Sequence, residues 1–494
     1  MRGAGLRVLV FVVGAACLGA EIAAARLLAP WFGESTVVWA NTIATVLVSL
    51  SVGYAVGGRV ADRYPTTAAL SRIVLVAAVL LAAVPFAAEP LLPLSADAFD
   101  ALSLGGFLGS LAAVCILVAV PILLLGMVSP YAVRLSVTGV AGAGRTTGRL
   151  YAISTVGSLV GTFLAALVLI PFVGTRRTFL LFALSLALAA LPGLQRRLLA
   201  LPVPAVVLGL VLMPEGLVKS QSGSGRVIWE RETTYQYARV VQDRSGRRTL
   251  ELDAGHAVHS VYQPGTYLTG GYWDDMLALC YAGQRRPRRV AILGSAAGTT
   301  ARALGHFSPR TVVDAVELDP DVTEVGRRLF DLHGPRLHLH TADARPWLRA
   351  TNHRFDAILV DAYRQPYIPF YLTTREFFAL AKQRLAPGGR VIVNVGHPAG
   401  SRSLERVLTA TMASVFGRDH LRRDPADPTN TVLVAGPTAP AAGLRGTAVP
   451  TDLASLASRV AARLASPLRG GTVYTDDRAP VEWLVDLSFL RLAD

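Results

Sequence analysis

Seven apolar runs, at 6–28, 37–57, 69–88, 104–128, 149–172, 177–194 and 198–213, fill the first part of this chain, and little there is charged. A helix of roughly 20 apolar residues crosses a bilayer core, and only helices and closed barrels satisfy backbone polar groups in lipid. Residues 1–218 are therefore expected to form a transmembrane domain of about seven helices, with the lipid bilayer as partner. Charged residues make up 17% of the 494 residues, below the ~25% of a soluble protein, and most of the acidic ones come after Met213. Gly53–Gly57 and Gly157–Gly161 are G-x-x-x-G patterns, which let helix backbones approach closely.

The formal net charge of +14 is read as membrane flanks. Arg2 and Arg7 stand at the start of the first run, Arg59 and Arg63 follow the second, and Arg134 and Arg145 follow the fourth. Positive residues favour the cytosolic side, so a multi-pass protein of the cell membrane with a cytosolic N-terminus is expected. Seven spans would leave the C-terminal domain outside and six would leave it inside, so its side stays open. No basic run is interleaved with aromatics, as single-strand binding would favour, so nucleic acid is not expected as a partner. Cys280 is alone in the soluble part, which excludes a disulfide within it.

Residues 219–285 read as a Gly/Ser-containing linker and a small β region, with Tyr237–Val241 and Thr249–Leu252 as paired strands. From 286 to 494 strands and helices alternate: Val290–Leu293, Val312–Val316, Leu337–Leu339, Phe355–Val360 and Val391–Val395 are the expected strands. Such alternation implies a parallel, doubly wound α/β sheet, whose ligands bind at the carboxyl ends of the strands. The turn Gly294-Ser295-Ala296-Ala297-Gly298 and the acids Glu317, Asp343 and Asp361 all fall there. Small turn residues admit a ligand close to the backbone, and an acid about 20 residues on suits a ribose diol. Together these point to a nucleoside site. His333, His338 and His340 are too few and too poorly spaced for a zinc site, so no metal is expected.

Several stretches resemble the spermidine synthase family, in particular its membrane-fused bacterial branch. They include Arg26-Leu27-Leu28-Ala29-Pro30-Trp31-Phe32-Gly33, Gly148-Arg149-Leu150-Tyr151, Tyr235-Gln236, Val316-Glu317-Leu318-Asp319-Pro320, Asp343-Ala344-Arg345, Leu372-Thr373-Thr374-Arg375-Glu376-Phe377 and Thr475-Asp476-Asp477-Arg478. The resemblance implies a multi-span α-helical bundle followed by a Rossmann-like, class I methyltransferase-type domain with a small β region before it. It implies a transferase of polyamine biosynthesis that moves an aminopropyl group from decarboxylated S-adenosylmethionine to an amine, and it leaves a homodimer open. It assigns Glu317 to the ribose, Asp343 with Ala344 to the adenine end, Gly294 and Gly298 to the cofactor turn, and Asp361 to the base. Gln236, His259 and Asp275 fall to the acceptor. Two family acids are replaced, by Ala297 in the turn and by Arg364 three residues after Asp361. Two other readings stay open: a catalytically silent adenosyl-binding or sensing domain coupled to the bundle, and a methyltransferase-like enzyme.

Overall fold

The structure is a computed structural model that describes residues 3–32, 36–100, 108–137, 139–140, 142–213, 225–252, 258–283, 285–363, 367–437 and 439–489. The chain divides into two compact units, 1–220 and 221–494. The Gly/Ser segment at 219–224 and Arg364 lie outside the described residues.

In the first unit, five helical stretches among the described residues are long and apolar enough to cross a membrane: Gly3–Ala29, Val38–Arg63, Thr67–Leu92, Ser110–Ser136 and Ala143–Gly193. The last has 51 residues, about 77 Å as a straight helix, more than twice a ~30 Å bilayer core. Its helical path is interrupted at Gly174, where φ is 82° and ψ is 165°. The apolar runs at 149–172 and 177–194 thus join in one stretch broken by a single residue's backbone. The final run is a shorter apolar helical segment, Arg197–Leu212.

Both G-x-x-x-G patterns lie at helix contacts. A Cβ on Gly157 or Gly161 would come within 2.2 or 2.0 Å of the carbonyl oxygens of Phe11 or Ala15, and one on Gly53 within 2.3 Å of that of Leu123. Only glycine permits such approach, which brings the helix backbones into direct contact. Arg134 pairs with Asp62 at 2.9 Å, joining the polar ends of the second and fourth stretches.

The second unit contains two sheets. β1 (Arg226–Glu232), β2 (Tyr237–Gln242), β3 (Arg248–Leu252) and β4 (Val258–Tyr262) form an antiparallel sheet in that order. The larger sheet is built from β5 (Arg289–Leu293), β6 (Val312–Glu317), β7 (Leu337–Thr341), β8 (Phe355–Val360), β9 (Leu385–Gly396), β10 (Leu421–Asp427) and β11 (Asn430–Ala435). Its order is β10-β11-β9-β8-β5-β6-β7. β5 to β9 run parallel, whereas β11 pairs antiparallel with both β9 and β10. The sheet is therefore mixed, not parallel throughout. Only two residues join β10 to β11, and a link that short makes a hairpin, since a parallel pair needs a crossover of a dozen residues or more.

Alternation along the central strands feeds two buried layers. Val290, Ile292, Val313, Ala315, Ala357 and Leu359 join the apolar cluster on one face. Ala291, Leu293, Val316, Ile358 and Val360 join the cluster on the other. From β5 the chain builds outward to β6 and β7, then returns to the other side as β8. That reversal opens a crevice at the carboxyl ends of β5 and β8.

Candidate functional site

The turn after β5 is forced by its neighbours. Gly294 has φ +83°, and a Cβ there would lie 2.4 Å from the Cα of Ala362. Gly298 has φ +90° and precedes the helix Thr299–Phe307, with Leu332 filling the space its side chain would need. Between them Ala296 also takes a positive φ of 45°.

The N–H groups of this turn are nearly all spent on the protein. Gly294 and Ser295 donate to the carbonyl of Val316, and Gly298 donates to that of Ser295. Ala296 donates to Oε2 of Glu317 at 2.8 Å and Ala297 to Oγ of Ser260 at 2.9 Å. Glu317 ends β6 and also accepts from the Asp319 N–H at 3.0 Å. Burial pushes its carboxyl up to about 7, against the pull of those N–H groups. The Leu318 N–H acts on it as well, and three N–H groups on about four lone-pair sites leave room for a further donor.

Asp343 follows β7 and caps the helix Ala344–Ala350, accepting from the Arg345 N–H at 3.0 Å and from the Tyr371 hydroxyl at 2.8 Å. Ala344 is buried behind it. Asp361 follows β8. It accepts from Nδ2 of Asn394 at 2.8 Å and from the Tyr272 hydroxyl at 3.2 Å. Burial raises it to about 7, while hydrogen bonds from Asn394, Tyr272 and Trp273 oppose that rise. A carboxylate with this value exchanges protons near neutrality, as a general base must.

Asp361 lines a cavity with Trp273, Met276, Ile292, Leu359, Gly294, Ser295, Thr299, Thr300 and His259. His259, assigned to the acceptor, thus shares a lining with Asp361. Gln236 lies elsewhere: its Nε2 reaches Asp319 Oδ2 at 3.4 Å, beside the Glu317 end of the site. Asp275 does not line the cavity. It pairs with Arg463 at 2.8 Å, and the same arginine makes a two-pronged contact with Asp424. Burial first, then Asp424, raises the Asp275 carboxyl to about 6. Asp274, next to it, accepts from the backbone of Thr269 and Gly270. The side chain at 297 is also not in the cavity lining; Ala297 is fully buried in an apolar cluster with Val240, Leu250, Val325 and Phe330.

The sequence reading missed Tyr272, Trp273, Asn394 and Tyr371. Asn394 carried a signal, being one polar residue inside Val391–Val395. Tyr272 and Tyr371 carried none, because they come from segments distant in sequence. His338 and His340 gather with Arg289 on the buried Asp314, with His340 at 2.9 Å.

Residues 271–419 match the spermine/spermidine synthase domain. A probable polyamine aminopropyl transferase of Bifidobacterium longum is 33% identical over 277 residues, 52% of this chain and 61% of that protein. A polyamine aminopropyltransferase of Mycobacterium tuberculosis is 30% identical over 292 residues, 53% of this chain and 54% of its own length. The chain thus spans little more than half of these curated relatives. Among solved structures, a probable spermidine synthase from Corynebacterium glutamicum aligns with a TM-score of 0.37 and 20% identity, over 51% of this chain and 99% of that one. A spermidine synthase in complex with the transition state analogue AdoDATO aligns with a TM-score of 0.39 and 16% identity, over 53% and 85%.

Proposed function

We propose, from the premise that this chain carries a spermine/spermidine synthase domain over residues 271–419, that its C-terminal unit transfers an alkyl group from an S-adenosylmethionine-derived donor to an amine. The N-terminal helices would tether it to a bilayer. The observation that carries the reading is Asp361, a carboxyl raised to about 7 at the mouth of the β5–β8 crevice and oriented by Tyr272 and Asn394.

In this reading Glu317 holds the ribose hydroxyls with its remaining lone pairs, Asp343 and Ala344 flank the adenine, and the turn from Gly294 to Gly298 passes under the donor. An amine acceptor is an ammonium at neutral pH and is no nucleophile until it loses a proton. Asp361 takes that proton. The freed nitrogen lone pair attacks the carbon bonded to the sulfonium, and the electrons of the breaking C–S bond return to sulfur, leaving a neutral thioether. The domain needs no metal for this step.

The acceptor side is sparse in charge. Asp275 is committed to Arg463, and position 297 has no acid. A diamine brings two ammonium groups, and burying a charge without a partner is costly. An acceptor with one ammonium suits Asp361 better. The test is thioether release by full-length protein in detergent, with decarboxylated S-adenosylmethionine and either putrescine or a monoamine. Turnover with an amine supports the reading. Adenosyl ligands that bind without turnover for any amine would favour a silent sensing domain instead.

A further inference from the structure

The helical stretches of the first unit have readable directions. Gly157 and Gly161 meet Phe11 and Ala15 in the same order, so the stretch from Ala143 starts out parallel to Gly3–Ala29. The second and fourth stretches end together, where Arg134 pairs with Asp62 and the Tyr131 hydroxyl donates to the carbonyl of Tyr64. Gly193, which ends the fifth stretch, packs on Thr67 and Ser71 at the start of the third. These ends share one face of the bundle. Phe86 marks the other: it lies 19 residues on from Thr67 in the same helix, about 28 Å away, and its ring sits under the Arg176 guanidinium at 4.6 Å.

The short apolar segment Arg197–Leu212 runs from the first face to the second. Its start is held where Arg197 donates to the carbonyl of Pro192 at 2.9 Å, next to Gly193. Its end is held where Arg177 donates to the carbonyls of Val211 at 3.3 Å and Met213 at 3.4 Å. At about 24 Å it is shorter than a bilayer core, a mismatch that local thinning absorbs. It is thus a seventh crossing, because the stretch broken at Gly174 supplies two. Arg59, Arg63, Arg72, Arg134, Arg196 and Arg197 stand at the first face, and Arg26, Arg176 and Arg177 toward the second. The excess of arginine marks the first face as cytosolic.

We infer that the chain leaves the bilayer on the face opposite the cytosol, and that the α/β unit works there on substrates brought out of the cell or met outside it. The eleven residues from 214 to 224 include Glu215 and Lys219 and are too few to cross back. Among the described residues, no candidate span lies in the second unit. The placement is independent of the adenosyl reading, but its consequence for the reaction rests on that reading. Adenosyl sulfonium donors are built from ATP inside the cell, and their fixed positive charge is costly to bring into lipid. A donor for the site at Glu317 and Asp361 is therefore supplied by a membrane transport step.

The experiment uses right-side-out and inverted membrane vesicles from cells expressing the full chain. Arg145→Cys, at the first face, and Arg459→Cys, in the helix Ala454–Arg463, replace exposed residues. A membrane-impermeant maleimide should label R459C in right-side-out vesicles and R145C in inverted ones, with wild type as the blank for Cys17, Cys115 and Cys280. Both variants labelled from the same side would remove the seventh crossing, and the reversed pattern would remove the cytosolic assignment; either overturns the placement. Alkaline phosphatase fused after Asp494 of the wild-type chain gives the answer without a substitution, since it is active only outside the cytosol; an inactive fusion also overturns the placement. For protein that turns over in detergent, right-side-out vesicles should convert added decarboxylated S-adenosylmethionine and amine, and inverted ones should not. Equal or reversed rates overturn the transport step. No turnover in detergent overturns the transfer reading and the transport step with it, and the labels still decide the placement.

Discussion

The Tyr272 hydroxyl stands 3.3 and 3.2 Å from the two carboxylate oxygens of Asp361. Tyr272 opens the helix Tyr272–Leu279 and Asp361 follows β8, so this contact ties the helix to the crevice. Donation to the ionised carboxylate lowers its affinity for a proton. Tyr272→Phe removes the donor and should move the ascending limb of the pH–rate profile to higher pH than wild type. An unmoved limb would show that Asn394 and Trp273 set the titration without it.

Glu317 gives a stability prediction. Its folded carboxyl lies at about 7 against 4.5 when unperturbed, so the folded state binds the proton more tightly. The stabilisation is full below pH ~4.5 and is lost as pH rises through ~7. Glu317→Gln should flatten the decline in melting temperature across that window. Parallel curves for variant and wild type would contradict it.

The same residue sets ligand affinity. Glu317→Ala should weaken S-adenosylhomocysteine binding by roughly 1–3 kcal/mol, the scale of lost charge-assisted hydrogen bonds. Because the diol needs an ionised acceptor, wild-type affinity should rise with pH up to ~7 and level off. Calorimetry at several pH values checks both, and an affinity independent of Glu317 would place the ribose elsewhere.

Restoring the family acid at 297 should fail. Ala297 is 0% exposed and packed among Val240, Leu250, Val322 and Phe330. Ala297→Asp would bury a carboxylate among apolar side chains, at a cost of about 3 kcal/mol or more. The measurement is thermal unfolding. A variant as stable as wild type, with gained activity on putrescine, would show that the side chain reaches the cavity.

Arg463 holds two carboxylates, Asp275 and Asp424, both raised by burial. Arg463→Ala should destabilise by roughly 1–3 kcal/mol at neutral pH, below the cost for a fully buried pair because the arginine is partly exposed. The loss should shrink below pH ~6, where Asp275 takes up a proton. Chemical denaturation at pH 5 and pH 7.5 distinguishes this from a loss that ignores pH.

The apolar runs, the strand–helix alternation from Val290 to Val395 and the acids at the strand ends were legible because each rests on local chemistry. Glu317, Asp343 and Asp361 owe their common edge to the parallel direction of β6, β7 and β8, whose carboxyl ends they occupy. The mixed edge of the sheet was not legible, since its direction depends on which neighbour β11 finds. The ion pair of Asp275 was not legible for a similar reason: its partner Arg463 lies 188 positions away.

By itself, then, the sequence determined the helical apolar half, the α/β half and the chemistry available at the strand ends, because bilayer thickness, helical period and strand period act over a few residues. The tertiary structure alone decided which acids keep free lone pairs and which are spent. It committed Asp275 to an ion pair, buried position 297 in an apolar cluster and brought Tyr272 and Asn394 onto Asp361. Burial and partner choice are properties of packed neighbours, and they set whether a carboxyl titrates near 4 or near 7.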